Sequence, residues 1–209
     1  MCKGAIFDMD GLLLDTEKVY QEIWKELAEE YDIVLVDTFA REISGTNGVR
    51  MWKIIEKHYG IPDGSVLAGE CMRRVRQKLK LEVSKKTGVD EVLKYFREKG
   101  FKIAVASSSE KEQIESNLSL AGIRDWFDIV VSGSEVAHGK PAPDIFLLAA
   151  EKIGCPPEEC YVFEDSENGI RAGYAAGCKT IMVPDLFEPT DEVRQMCTKV
   201  LGSLREMIL

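Results

Sequence analysis

From Val89 onward the chain alternates short apolar runs with amphipathic helical stretches, and that alternation restricts the fold more than any other feature. The runs are Lys102 to Ala106, Ile129 to Val131, Tyr161 to Phe163 and Thr180 to Val183; a fifth, Gly4 to Phe7, opens the chain. Several are rich in β-branched residues, and each reads as a strand. Between them, Val89, Val92, Leu93 and Phe96 recur at helical spacing before Gly100. Ser109 and Glu112 predict a capping box that opens the next helix. A helix is expected over Ile145 to Ile153, begun near Pro143 and Asp144 and stopped by Gly154, and another over Glu167 to Ala176, stopped by Gly177. Alternating strand and helix implies an α/β fold, a parallel sheet with helices on both faces.

One stretch departs from this rhythm. Between Glu17 and Lys86, Tyr20, Ile23, Trp24 and Leu27 fall at helical spacing, then Met51, Ile54 and Ile55, then the run Cys71 to Leu81, with no convincing strand. The expectation is a core formed by residues 1–16 and 87–209, interrupted after its first strand by an all-helical insert, 17–86. There is no internal repeat and no low-complexity tract.

Apolar residues make up 45% of the 209, enough for a real core. The net charge of −9 disfavours nucleic acid polymers and anionic membranes as partners. Cys2, Cys71, Cys155, Cys160, Cys178 and Cys197 form no C-x-x-C pair, so thiols in a cytoplasmic protein are expected. Neither a signal peptide nor a membrane-spanning run is apparent, and monomeric behaviour is expected.

Polar groups gather just beyond the strands. The first ends in Asp8-Met9-Asp10-Gly11, the second in Ser107-Ser108-Ser109 and the fourth in Glu164-Asp165-Ser166. Ligands of open parallel sheets bind beyond the carboxyl ends of the strands. Four carboxylates would converge there, which is costly without a cation. A D-x-D alone is often a turn or a cap, but with a second acidic pair at another strand end the metal reading prevails. Oxygen ligands without nearby histidine or cysteine suit a hard ion, and Mg²⁺ leads.

The segment Phe7-Asp8-Met9-Asp10-Gly11-Leu12-Leu13-Leu14-Asp15-Thr16-Glu17 resembles the first motif of the haloacid dehalogenase-like hydrolases. Ile103 to Ser107 resembles the second motif, Lys140 in Gly139-Lys140-Pro141-Ala142-Pro143-Asp144 the third, and Phe163-Glu164-Asp165-Ser166 the fourth. The four occur in the family's order across nearly the whole chain, and the insert resembles the helical cap of the β-phosphoglucomutase-like branch. The resemblance implies a Rossmann-like core and a Mg²⁺-dependent phosphatase of small phosphorylated metabolites, either sugar phosphates or nucleotide and nucleoside monophosphates. It implies Asp8 as nucleophile, forming an aspartyl-phosphate, and Asp10 as acid and base. Asp8, Asp10 through its carbonyl, and Asp165 would hold Mg²⁺, with Glu164 helping directly or through water. Ser107, Ser108 and Lys140 would bind the phosphoryl group with Asp8, Lys140 easing the local negative charge. Ser109 is read as a cap only. His138 matches no catalytic element and reads as a loop histidine, while His58 is expected at the surface.

Substrate choice would fall to the insert loop, with Ser44, Gly45, Thr46, Asn47 and Arg50 as candidate contacts. Mutases of this branch grip a second phosphate with an arginine just beyond the loop's first glycine. Gly48 stands there in an ungapped comparison, which favours a phosphatase over the alternative, a β-phosphoglucomutase-like mutase. Asp10 argues against a haloacid dehalogenase. An early nucleophile strand and an insert argue against a phosphoacceptor signalling domain. The retention of Asp8, Asp10, Lys140 and Asp165 argues against a non-catalytic binding protein.

Overall fold

The computed structural model describes residues 3–79 and 83–208. Six strands form one parallel sheet in the order β3-β2-β1-β4-β5-β6. They are β1 (Gly4–Phe7), β2 (Lys102–Ser107), β3 (Ile129–Ser132), β4 (Cys160–Glu164), β5 (Lys179–Met182) and β6 (Lys199–Val200). Five coincide with the apolar runs; β6 is an edge strand of two residues, too short to carry a sequence pattern.

Alternation along the strands divides the core in two. Phe7, Ile103, Val105 and Phe163 share one cluster with helix α5 (Val89–Glu98) and helix α6 (Lys111–Leu120). Ile6, Ala104, Ala106 and Val162 face the other way, onto helix α7 (Asp144–Ile153) and helix α8 (Glu167–Ala175). Helix α9 (Asp191–Met196) precedes β6. On the first face Phe7 stacks on Phe163 at 4.6 Å and Phe96 meets Phe163 edge-on at 5.4 Å.

Register aligns the strand ends. Phe7 lies between Val105 and Phe163, so the residues that follow each strand emerge side by side. The Asp8 amide still donates to the Phe163 carbonyl at 3.0 Å, which seats Asp8 next to Glu164.

Four helices occupy the region between β1 and α5: α1 (Glu17–Glu30), α2 (Thr38–Ile43), α3 (Gly48–Tyr59) and α4 (Gly64–Leu79). They bury a cluster of their own in which Trp24, Phe39 and Tyr59 pack ring on ring. The helical run expected to reach Leu81 continues as α4 to Leu79; Leu81 lies outside the described residues. The two crossings between this layer and the sheet run side by side. Leu14 pairs with Lys85, the Asp15 amide donates to the Ser84 carbonyl, and the Lys86 amide donates to the Leu13 carbonyl.

Two expectations change. His58 is not a surface residue: its side chain is 5% exposed, packed edge-on against Phe39 and bonded to Glu42. Cys71, Cys160, Cys178 and Cys197 are free thiols, but Cys155 is disulfide-bonded. No helix of the described residues is long and apolar enough to cross a membrane.

Candidate active site

The site forms where β1, β2 and β4 end. Asp8 is 6% exposed and Lys140 1% exposed. Lys140 Nζ donates to Asp8 Oδ1 and to Glu164 Oε1, each at 2.5 Å, and to the Ala106 carbonyl at 3.3 Å. The other Glu164 oxygen accepts from the Asp165 and Ser166 amides, both at 3.0 Å, and from Ser166 Oγ at 2.9 Å. Glu164 is thus fixed at both oxygens by groups of the third and fourth motifs.

Asp10 is held by a separate set of hydroxyls. Thr16 Oγ1 donates to Oδ1 at 2.7 Å, and Ser109 Oγ and Ser107 Oγ donate to Oδ2 at 2.9 and 3.1 Å. Thr16 reaches Asp10 because the chain turns at once: the Gly11 amide bonds the Leu14 carbonyl, and Asp10 pairs with Leu14. Gly11 has a φ of +88°, and a Cβ there would lie 2.4 Å from Asp165 Oδ2, so the turn requires glycine twice over.

Ser109 is therefore not a helix cap. Helix α6 starts two residues later, behind Glu110 as N-cap, which leaves the Ser109 hydroxyl on Asp10. Its capping-box spacing concealed a site residue. Thr16 and Glu17 stand in the first motif without an assigned partner; only the turn after Asp10 shows what they face.

Burial sets the electrostatics. Asp8, Asp10, Glu164 and Asp165 present four carboxylates, and Lys140 is the one basic side chain among the buried described residues. Asp8 is pushed up to about 8 by burial, which Lys140 opposes and Glu164 and Asp10 reinforce. Burial, with Glu164 and Asp8, raises Asp165 well above the usual carboxylate range. Burial also raises Asp10, against its three hydroxyl donors. Glu17 rises to about 8 through burial and the charges of Asp10, Asp185 and Asp8. Burial lowers Lys140, but Asp8 and Glu164 outweigh it and keep the ammonium charged.

Asp8, Glu164 and Asp165 each bring a carboxylate oxygen within 4.8 Å of the others. Two unit charges at that separation repel by about 3 kcal/mol at an effective dielectric near 20. An all-oxygen donor set with surplus negative charge fits a hard divalent cation such as Mg²⁺.

A cavity of about 1030 Å³ joins this cluster to the helical layer, and all five candidate loop residues line it. Their polar groups face varied partners. The Ser44 carbonyl accepts from Asn168 Nδ2 at 3.1 Å, and Gly45's carbonyl accepts from Ser108 Oγ at 3.2 Å. Thr46 spends its hydroxyl on the Ile43 carbonyl at 2.6 Å. Asn47 donates to the Ser108 carbonyl at 3.2 Å and lies against Gly133 and Gly139, where a Cβ would come within 2.3 Å and 2.2 Å of its amide. Arg50 donates to Asn168 Oδ1 at 3.2 Å. The Ser108 hydroxyl is thus placed on the loop, whereas those of Ser107 and Ser109 are on Asp10. His138 is exposed and bonded to Asp144, as expected of a loop histidine.

A family model described as haloacid dehalogenase-like hydrolase matches residues 5–183. The chain is 37% identical over 184 residues to the fructose-1-phosphate phosphatase YqaB of Escherichia coli (strain K12), spanning 86% of this chain and 95% of that protein. It is 34% identical over 210 residues to a protein of Drosophila melanogaster named "Probable pseudouridine-5'-phosphatase", spanning 97% and 90%. The crystal structure of CbbY from Rhodobacter sphaeroides in complex with phosphate superposes with a TM-score of 0.81 at 26% identity, covering 99% and 96%. A β-phosphoglucomutase from Clostridium difficile shares the fold with a TM-score of 0.83 at 23% identity, covering 99% and 93%. The chain belongs to the haloacid dehalogenase-like hydrolases.

Proposed function

We propose that this haloacid dehalogenase-like hydrolase is a Mg²⁺-dependent phosphatase of a small phosphorylated metabolite, working through an aspartyl-phosphate on Asp8. The observation that carries the reading is the division of labour between the two aspartates of the first motif. Asp8 lies against Lys140 and within reach of Glu164 and Asp165, while Asp10 is held apart by Thr16, Ser107 and Ser109. One carboxylate is placed against a lysine and two further carboxylates, the other among neutral hydroxyl donors, the separation that lets two like groups take different roles.

Asp8 attacks phosphorus, and the leaving oxygen departs with a proton from Asp10, whose raised affinity for protons suits an acid. Asp10, now charged and still fixed by three hydroxyls, takes a proton from the water that attacks the aspartyl-phosphate. Lys140 keeps the charge around Asp8 tolerable throughout, and Glu164 holds Lys140. Asp8, Asp165 and the Asp10 carbonyl would hold Mg²⁺, which when bound offsets the charge of the phosphoryl oxygens. Glu164, with both oxygens already engaged, aids that site by positioning. Residues 17–86 act as a cap whose Ser44 to Arg50 loop meets the leaving group.

Relatives named for fructose 1-phosphate and phosphorylated carbohydrates support small phosphomonoesters as substrates. A mutase has less support, since Arg50 is engaged with Asn168 and Gly48 has no side chain to grip a second phosphate. The test is phosphate release from a panel of sugar phosphates, sugar bisphosphates and nucleoside monophosphates, with Mg²⁺ and with chelator. Mg²⁺-dependent release is expected. Isomerisation of a sugar phosphate with little release would assign the mutase instead.

A further inference from the structure

The cavity extends well past the carboxylates, and its far end has a chemistry of its own. Helices α3 and α4 contribute Trp52, Gly69, Met72 and Gln77 there, together with Arg73 and Arg76, and no carboxylate. The acidic lining residues belong to α1, to the segments that follow β1 and β4, or, for Glu110, to the N-cap of α6. A leaving group studded with hydroxyls could accept from the two arginines but would find few acceptors for its own protons under α3 and α4, whereas indole, thioether and amide groups suit a flat ring with carbonyl and N–H edges.

Trp52 is the central observation. Trp24 is buried among Phe39 and Tyr59, but Trp52 is 38% exposed, lines the cavity and packs on no other ring of the described residues. Gly69 is a second, independent one. It lies inside α4, where glycine weakens a helix relative to alanine. Its φ is not in the left-handed region, and a Cβ placed on it would meet nothing within 4 Å. Neither backbone geometry nor packing within the protein therefore requires a glycine, and the space it leaves opens to the cavity. On α1, Gln21 also lines the cavity, and its buried amide nitrogen has no hydrogen-bond partner within the protein. The volume of about 1030 Å³ lies at the upper end of the range that holds drug-sized ligands, more than an acyclic polyol phosphate fills.

We propose that the substrate class is a nucleoside monophosphate, its base stacked on Trp52 in the space beside Gly69 with ring edges read by Gln77 and Gln21. This rests on the phosphatase reading above and narrows it. Base–aromatic stacking tolerates different bases, so selectivity is for a base over no base more than among bases.

The test compares uridine and adenosine 5′-monophosphates with glycerol phosphate, in Mg²⁺, for the wild type, Trp52→Leu and Gly69→Leu. Wild type is expected to prefer the nucleotides. Each variant should raise the nucleotide KM by about 10-fold with kcat nearly unchanged, the loss of one stacked base. The glycerol phosphate parameters should not move, which also shows that each variant is folded. Titration calorimetry of free uridine and adenosine, in chelator, should show weakened binding in both variants and unchanged binding in Gly69→Ala. Equal losses on all three substrates, no loss on any, or wild-type preference for glycerol phosphate would each overturn the proposal while leaving a phosphatase standing. Failure of every substrate to release phosphate would overturn the phosphatase reading beneath it.

Discussion

Removing Mg²⁺ should expose the electrostatic strain of the site as a pH-dependent loss of stability. Asp8, at about 8 without a bound cation, holds a proton near neutrality that the unfolded chain has already released at its ordinary 3.8. Its protonated form therefore favours the folded chain fully below about pH 4, and that contribution is lost as pH rises through about 8. Glu17, raised from 4.5 to about 8, adds to the same slope. A divalent cation must displace the Asp8 proton to bind. Counting the Asp8 proton alone, apparent affinity should be at least about 50-fold weaker at pH 6 than at pH 8, or about 2 kcal/mol, and the raised Asp165 acts in the same direction. For a chain of about 200 residues that difference is worth roughly 4–8 °C in Tm at fixed, near-saturating metal. Thermal unfolding in chelator and in Mg²⁺, at about pH 6 and pH 8, reads both effects. The Mg²⁺-induced rise in Tm should be larger at the higher pH. A rise of equal size at both, or none at either, would refute the assignment of Asp8 to a metal-binding carboxylate cluster.

Other perturbations separate the parts of the site. Asp8→Asn should cut Mg²⁺-dependent phosphate release by about 10⁴-fold or more while circular dichroism stays native; retained activity would rule out the covalent route. Thr16→Val removes one of the three hydroxyls on Asp10 and should lower kcat by about 10-fold with KM little changed, as expected for one hydrogen bond to a charged group; a KM effect alone would deny Asp10 its proton-transfer role. Gly169→Ala would put a Cβ 1.8 Å from the Glu164 carboxyl, so Glu164 and with it Lys140 must shift. A loss of about 1–3 kcal/mol in denaturant unfolding is expected, and unchanged stability would mean that α8 can move aside freely.

The positions of the strands and the ends of the core helices were legible because both rest on local patterns. Phe7, Val105 and Phe163 repeat their burial with the period of a strand, and Gly100, Gly154 and Gly177 follow their helices with positive φ. Lys140 could be singled out by the motif around it, although nothing local says that its ammonium crosses to Asp8, 132 residues earlier in the chain. Ser109 is hidden for the same reason: a serine three residues before a glutamate has the spacing of a cap, and only the approach of Asp10 from the turn after β1 claims its hydroxyl.

Sequence alone determined the alternation of elements, the acidic and hydroxyl groups at the strand ends, and the family whose motifs they match. Tertiary structure decided which oxygen each group serves. Parallel register brings Asp8 beside Glu164, the turn at Gly11 swings Thr16 back to Asp10, and α3 and α4 set Trp52 and Gly69 on one cavity wall. Composition and periodicity are properties of neighbours along the chain. Charge balance, hydrogen-bond partnership and the shape of a cavity are properties of groups brought together across it, and they exist only once the sheet has fixed its register.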